Sequence, residues 1–348
     1  VDVIVEPGVH SFKITSLFPR DEFHVALEGP ELSPTFVEAH GDGTYTASYC
    51  VELPGLYKLH VRILQINGEV SLRKEIFASP FSVLVKGGAE LQNPISAQPN
   101  PIYQDACTNA RQATQGRWVR FDHAKHFNLV PSFEVQKWEE VLEMSRDEYI
   151  WLPYSCRIRP MNYDDLKALF QNLSHCLCCD SYIRSLFSDS MLYLGIFKKK
   201  YHRNTRAGRM EHSNWEINGV SMAWHDKEYF EACRRKRPNG FTIENVLTEH
   251  VEPVTNHTTA EDDNFVFFVG HPWSGDHRRA HRTNNAIQIA QRTAFLNLGS
   301  DTDIFDAMAF AYPRIYDQVC DGSHVSCIIS GELTVLGFWE MLILAQLL

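Results

Sequence analysis

The sequence predicts two folded units of different class, a β-sandwich followed by an α/β unit built on an open parallel sheet. Three observations predict this. The first eighty-odd residues carry short runs rich in Val, Tyr, Phe and Thr that alternate in polarity between Gly, Pro and Asp turn signals. The composition then shifts to Gly, Asn, Gln and Pro over Gly87 to Pro101, as expected of a linker. Beyond Pro101, helical-period segments alternate with continuous apolar runs. The boundaries expected are 1–88 for the sandwich, 89–104 for the linker and 105–348 for the second unit.

In the first unit the expected strands are Val1 to Val5, Phe23 to Leu27, Thr44 to Val51, Tyr57 to Ile63 and Phe81 to Val85. Strands at that spacing suit an antiparallel sandwich of the immunoglobulin type. In the second unit, Asn162 to Leu173 has Leu166, Leu169, Phe170 and Leu173 at helical spacing, with Asp164 and Asp165 near its start. Cys176 to Cys179 reads as a short buried strand and Tyr182 to Phe197 as a helix. Phe265 to Val269 reads as a buried parallel strand, with helices over Asn284 to Leu296 and Gly337 to Leu347.

A chain of 348 residues with 44% hydrophobic and 12% aromatic residues has enough apolar mass for real cores. The net charge of -10 argues against nucleic acid as a partner, because phosphate binding wants a basic surface. The one basic cluster, Arg234 to Arg237, reads as a solvated loop. Nine cysteines include no pair of matched CxxC motifs, so no metal site is expected. His277 and His281 have a helical ligand spacing but no third ligand, and the Arg-rich context favours a solvated segment. Cys176, Cys178 and Cys179 read as small buried hydrophobes. Cys107 with Cys156, and Cys320 with Cys327, are candidate bridges if the compartment is oxidising. The sequons at Asn172 and Asn256 point the same way. The expectation is therefore the secretory pathway, Golgi lumen or extracellular space, with any anchor lying before Val1; the C-terminal apolar tail is too short to span a bilayer.

The residues with chemistry are Ser181, after an apolar run and at the expected start of a helix, and Asp321 and His324, three residues apart. Serine, histidine and aspartate are the hydroxyl, base and orienting carboxylate of an acyl-transferring enzyme. A serine placed there has its own N–H and a helix N-terminus beside a developing oxyanion. The plainer reading is that Asp180 and Ser181 only cap the helix.

Two resemblances extend this reading. Gly43-Thr44-Tyr45-Thr46-Ala47-Ser48-Tyr49, Pro54-Gly55-Leu56-Tyr57-Lys58-Leu59 and Ser79-Pro80-Phe81-Ser82-Val83 resemble the filamin-type immunoglobulin-like repeat over about Val1 to Lys86. Such modules bind partners or act as spacers, so a protein partner is expected for this unit. Gly116-Arg117-Trp118-Val119, Trp151-Leu152-Pro153-Tyr154-Ser155-Cys156 and Cys179-Asp180-Ser181-Tyr182-Ile183-Arg184 occur in the order seen in PC-esterase domains. Val266-Phe267-Phe268-Val269-Gly270-His271-Pro272-Trp273 resembles that family's strand ending in Gly-His-Trp-Trp, Asp321-Gly322-Ser323-His324 resembles its Asp-x-x-His motif, and Leu344 to Leu348 its usual ending. The family belongs to the SGNH/GDSL hydrolase-like superfamily and includes trichome-birefringence-like polysaccharide acetyltransferases. The pairing of the two units resembles the neurexophilin-and-PC-esterase proteins.

The resemblance implies an SGNH-like, flavodoxin-like sheet with Ser181 as nucleophile, His324 as base and Asp321 as its orienting carboxylate. Asp180, Gly270 and His271 would line the site. It implies a serine esterase or O-acyltransferase acting on O-acetyl groups of an acetylated polysaccharide or glycan, without a cofactor. Two positions depart from the pattern: Cys179 stands where the family has Gly, and Phe268 where it commonly has Asn. Loss of an oxyanion donor costs roughly 10²–10³ in rate. The alternative is therefore a catalytically degenerate carbohydrate- or protein-binding two-domain protein. Trp118, Trp151 and Trp273 are candidates for a sugar-stacking surface, against the commoner fate of core packing. Arg184 is expected to brace the first turn of the helix after Ser181.

Overall fold

The computed structural model describes residues 3–32, 35–67, 69–87, 105–145, 147–162, 164–166, 168, 174–178, 213–217, 220–225, 266–269, 303–317, 338–339 and 342–344. The first unit contains β1 (Val3–Val5), β2 (Gly8–Thr15), β3 (Glu22–Glu28), β4 (Glu31–Leu32), β5 (Phe36–Ala39), β6 (Thr44–Val51), β7 (Gly55–Ile66), β8 (Glu69–Glu75) and β9 (Phe81–Val85). One sheet runs β1-β9-β7-β3 with β8 also on β7, and the other runs β2-β6-β5. All pairs are antiparallel except β1 with β9.

The two sheets face each other across one core, which makes a β-sandwich. On β6 the inward residues are Tyr45, Ala47, Tyr49 and Val51, at the period of two that a half-buried strand requires. Ile14 of β2, Tyr57, Leu59 and Val61 of β7, and Val83 and Val85 of β9 complete the cluster with Phe23, Val25 and Leu27 of β3. The β5–β6 turn depends on Gly43, whose φ of +86° favours glycine. A Cβ there would lie 2.7 Å from the Ser16 carbonyl oxygen, and Asp42 accepts from the Thr44 N–H at 2.9 Å.

The second unit begins with α1 (Ala110–Ala113), β10 (Gly116–Arg120), α2 (Phe121–His126), α3 (Val135–Ser145) and β11 (Tyr149–Pro153). Asn109 caps α1 by accepting from the Gln112 N–H at 2.8 Å. Strands β10 and β11 pair antiparallel from Gly116↔Pro153 to Arg120↔Tyr149. Gly116 is required, because a Cβ would sit 2.4 Å from the Leu152 carbonyl oxygen. Further along are β12 (Ser174–Cys178), β13 (Ser213–Ile217), β14 (Val220–His225), β15 (Val266–Val269), β16 (Asp303–Asp306) and α4 (Ala307–Ala311). Pairs β12–β14 and β15–β16 are parallel, while β13–β14 is antiparallel.

The core of this unit is aromatic. Trp118, Trp138, Trp151, Trp339, Phe305 and Phe310 are all buried. Trp118 donates from Nε1 to the Phe310 carbonyl at 2.8 Å, and Trp151 to that of Ala113 at 2.7 Å. Both rings are fully enclosed, which corrects the expectation of a sugar platform: each indole N–H finds a backbone acceptor and the rings pack edge to face at 5.3 Å. Trp273 lies outside the described residues. Phe338, Trp339, Leu342 and Ile343, in helical segments of the C-terminal run, fill the same core.

The units meet through a strand. β4 pairs antiparallel with β10, Leu32 opposite Trp118 and Glu31 opposite Val119, so the first unit supplies an edge to the sheet β11-β10-β4. Leu32 and Leu53 belong to the second unit's core. β3 is buried from Phe23 to Leu27 on both faces. Its outward His24 meets Tyr312, whose carbonyl lies 3.2 Å from His24 Nε2, and Tyr312 also stacks on Phe36 at 5.8 Å.

Candidate functional site

Two strands lead toward the predicted catalytic residues. β12 ends at Cys178, one residue before Cys179-Asp180-Ser181, and β15 ends at Val269, next to Gly270-His271. Ser181, Asp321 and His324 lie outside the described residues, as do Asp180, Gly270, His271, Cys179, Arg184, the Cys320–Cys327 pair and the sequons at Asn172 and Asn256. The helices expected at Tyr182 to Phe197 and Asn284 to Leu296 lie outside them too, while residues 164–166 and 168 of the segment after Asn162 are helical. Phe268, which departs from the Asn of the pattern that the sequence resembles, is opposite Phe305 within the β15–β16 register.

Among the described residues, the second unit is held together at three places that the sequence order does not join. Cys107 and Cys156 form a disulfide that ties the segment before α1 to the segment after β11. Beside it the Cys107 N–H donates to the Arg157 carbonyl at 3.1 Å. At the end of β16, Asp306 is completely buried. Its Oδ1 accepts from the Ala309 N–H at 3.1 Å, and its own N–H donates to Thr114 Oγ1 at 3.0 Å. The third is Asp147, just before β11. It accepts from Arg314 Nη1 at 2.5 Å and Nη2 at 3.1 Å, and from Trp339 Nε1 at 3.0 Å. The Arg314 guanidinium also lies 4.6 Å from the Trp118 ring centre.

A cleft of about 280 Å³ opens where the two units meet, lined by Glu28, His60, Arg62, Asp147, Tyr149 and Arg314 among others. His60 is set between carboxylates, Nδ1 at 2.7 Å from Glu75 and Nε2 at 3.1 Å from Glu28. Arg62 Nε donates to Glu75 at 3.1 Å. Burial works against ionisation of Glu75, but the Ser79 hydroxyl, His60 and Arg62 outweigh it and hold its carboxyl below the usual range. Deeper in the junction, Glu31 accepts from the N–H groups of Glu52 and, at 3.0 Å, Leu53. It also makes an ionic contact with Arg117 Nε at 2.9 Å. Arg117 reaches Glu52 as well. Burial pushes the Glu31 carboxyl up, against the pull of Arg117, the Leu53 N–H and Tyr57. His24 is pushed down to about 3 by burial.

These junction groups were missed by sequence reasoning, since Glu31 and His24 read locally as ordinary polar residues of short β segments. Within the cleft Glu28 meets His60 and Asp147 meets Arg314, so these charges are engaged with one another. Among the described residues no cluster of His, Cys, Asp and Glu has a metal-binding arrangement. Among them, too, no helix is long and apolar enough to cross a membrane. Comparison with known proteins gives no match, either to a family model or to a curated protein.

Proposed function

We propose that the chain is a serine esterase or O-acyltransferase of the SGNH type, acting on O-acetyl groups of glycans in the secretory pathway, with a filamin-like sandwich as its first unit. The observation that carries the reading is the position of β12. This strand pairs parallel with β14 and stops three residues before Ser181, the position at a strand's carboxyl end where open α/β sheets hold their reactive groups. The parallel β15–β16 pair, ending next to Gly270-His271, supports the same architecture. The Cys107–Cys156 disulfide supports an oxidising compartment.

In the proposed mechanism His324, oriented by Asp321, takes the Ser181 hydroxyl proton as Ser181 Oγ attacks the acetyl carbonyl carbon. The tetrahedral oxyanion is received by backbone N–H groups near Ser181 and Gly270. The ester C–O bond breaks, His324 returns the proton to the departing alcohol, and an acetyl-serine remains. Water or a sugar hydroxyl then attacks that ester, with His324 again moving the proton, so the same intermediate gives hydrolysis or transfer. The test is hydrolysis of p-nitrophenyl acetate by the purified chain and by Ser181→Ala. The expected result is turnover abolished by the substitution, and equal rates overturn the reading. The second reading, a binding protein with a relic triad, is favoured by Phe268, whose side chain offers no hydrogen-bond donor where the family has Asn.

A further inference from the structure

Beside the Cys107–Cys156 disulfide lies a cavity of about 10 Å³, lined by Glu134, Trp138, Cys156 and Arg157 among apolar residues such as Leu129 and Leu152. Glu134 closes a 3-10 turn, Ser132–Glu134, that runs straight into α3, so Trp138 follows on the same side of the helical run. Arg157 comes from the segment after β11, and its Nη1 lies 3.5 Å from Glu134 Oε1. Glu134 is 8% exposed and Trp138 1%, with the Trp138 ring stacked on Trp339 at 5.8 Å. Each of the three carries a buried polar atom that has no hydrogen-bond partner among the described residues: Glu134 Oε2, Trp138 Nε1 and Arg157 Nε. A buried polar group left alone forfeits the bonds it made with water, which is why such groups are normally partnered. Elsewhere in the same core they are: Trp118 and Trp151 donate to backbone carbonyls.

The chemistry of these atoms selects the occupant. Two are N–H donors and one is a carboxylate acceptor. An anion would meet the Glu134 charge, and a cation would meet the two N–H dipoles and the Arg157 charge. A small neutral molecule that accepts twice and donates once satisfies all three. Water does so, with the three bonds typical of an internal water, and a cavity of about 10 Å³ takes one water and nothing larger. We propose that this cavity is the binding site of one internal water, which accepts from Trp138 Nε1 and Arg157 Nε and donates to Glu134 Oε2. The water joins α3 to the segment that the disulfide fastens, a link independent of the reaction proposed above.

The experiment is magnetisation transfer from water, by NOE and by ROE, to the indole N–H groups of the full chain carrying isotope-labelled tryptophan. Trp138→Phe assigns the Trp138 signal. A held water gives cross-peaks of opposite sign in the two spectra, while exchange of the N–H proton with solvent gives the same sign in both. No residue lining the cavity carries a hydroxyl that could imitate the contact. The expected result is an opposite-sign cross-peak at Trp138 and none at Trp118 or Trp151, whose N–H groups are already taken. Glu134→Gln keeps an acceptor and should keep the cross-peak. Glu134→Met removes the acceptor and should abolish it, with the indole signals otherwise at their wild-type positions. A wild-type chain without the cross-peak overturns the proposal whatever the variants do. A cross-peak that survives Glu134→Met, or that Glu134→Gln and Glu134→Met abolish alike, overturns it too, because the water is then not held through an acceptor at this position. The readout involves no turnover, so failure of the esterase reading leaves the result standing.

Discussion

The carboxylate of Glu31 lies 2.9 Å from Arg117 Nε across the junction of the two units, its side chain 0% exposed and that of Arg117 9% exposed. Glu31 belongs to the two-residue strand that leaves the sandwich, and Arg117 to the strand it joins. The contact fastens one unit to the other, and it depends on both partners being present. Arg117→Leu leaves a buried carboxylate without its cation, for which the expected loss is about 3–5 kcal/mol of unfolding free energy. Replacing both residues together, Glu31→Leu with Arg117→Leu, should recover part of the loss, less the two backbone N–H groups that Glu31 serves and the Glu52 carboxylate that Arg117 also pairs. Urea unfolding of the three proteins measures both effects. A single variant within about 0.5 kcal/mol of wild type, the ordinary range of surface substitutions, contradicts the account.

His24 makes the junction sensitive to acid. Its folded-state pKa is lowered from 6.5 to about 3, so the folded chain keeps the ring neutral while the unfolded chain protonates it. Its stabilising contribution is present above the unfolded value, declines as pH falls through 6.5, and is fully lost only below about 3. Between pH 7 and pH 5 this one group should remove roughly 2 kcal/mol of stability. His24→Gln lacks the titration, so the difference in stability between variant and wild type should move by that amount over the same interval. Parallel pH dependences in the two proteins would rule out the assignment.

The disulfide closes a sequence separation of 49 residues that contains α1, β10, α2, α3 and β11. Chain-entropy reasoning gives such a loop about 4 kcal/mol. The Cys107→Ser, Cys156→Ser double variant should lose stability on that scale. A double variant as stable as the oxidised wild type contradicts the bridge's role.

Asp147 gathers three segments distant in sequence by accepting from Arg314 and Trp339. With side-chain exposures of 7% for Arg314 and 3% for Asp147, the pair is buried. Asp147→Ala should destabilise by about 3–5 kcal/mol, because it takes the paired carboxylate away from a buried guanidinium. Asp147→Asn, which keeps the acceptor for Trp339 Nε1, should cost less. The two variants having equal unfolding midpoints would contradict this ranking.

What was legible in the sequence was local. Thr44 to Val51 and Phe81 to Val85 are strands with those bounds, because alternation of buried and exposed side chains is written into their order. The runs at Phe23, Tyr57, Cys176 and Phe265 are strands as well, shifted at their ends by a few residues. β2 and β8 escape notice because polar residues take half or more of their length, and β5 because it is only four residues long; their partners rather than their composition hold them extended. β4 is the extreme case: two residues become a strand only by docking on β10. The same tertiary cause hides the junction, since nothing in the order around His24 or Glu31 announces burial from both sides. For the proposed site, the sequence supplies the candidate residue types, and the structure supplies the strand that ends three residues before Ser181.

The central claim is that Ser181 is an activated nucleophile, and covalent labelling reads this directly. A fluorophosphonate probe added to the purified chain, followed by proteolysis and peptide mass spectrometry, should mark the peptide containing Ser181. Prior Asp321→Asn or His324→Ala substitution should suppress the label. An unlabelled protein, or labelling that ignores both substitutions, would contradict the account.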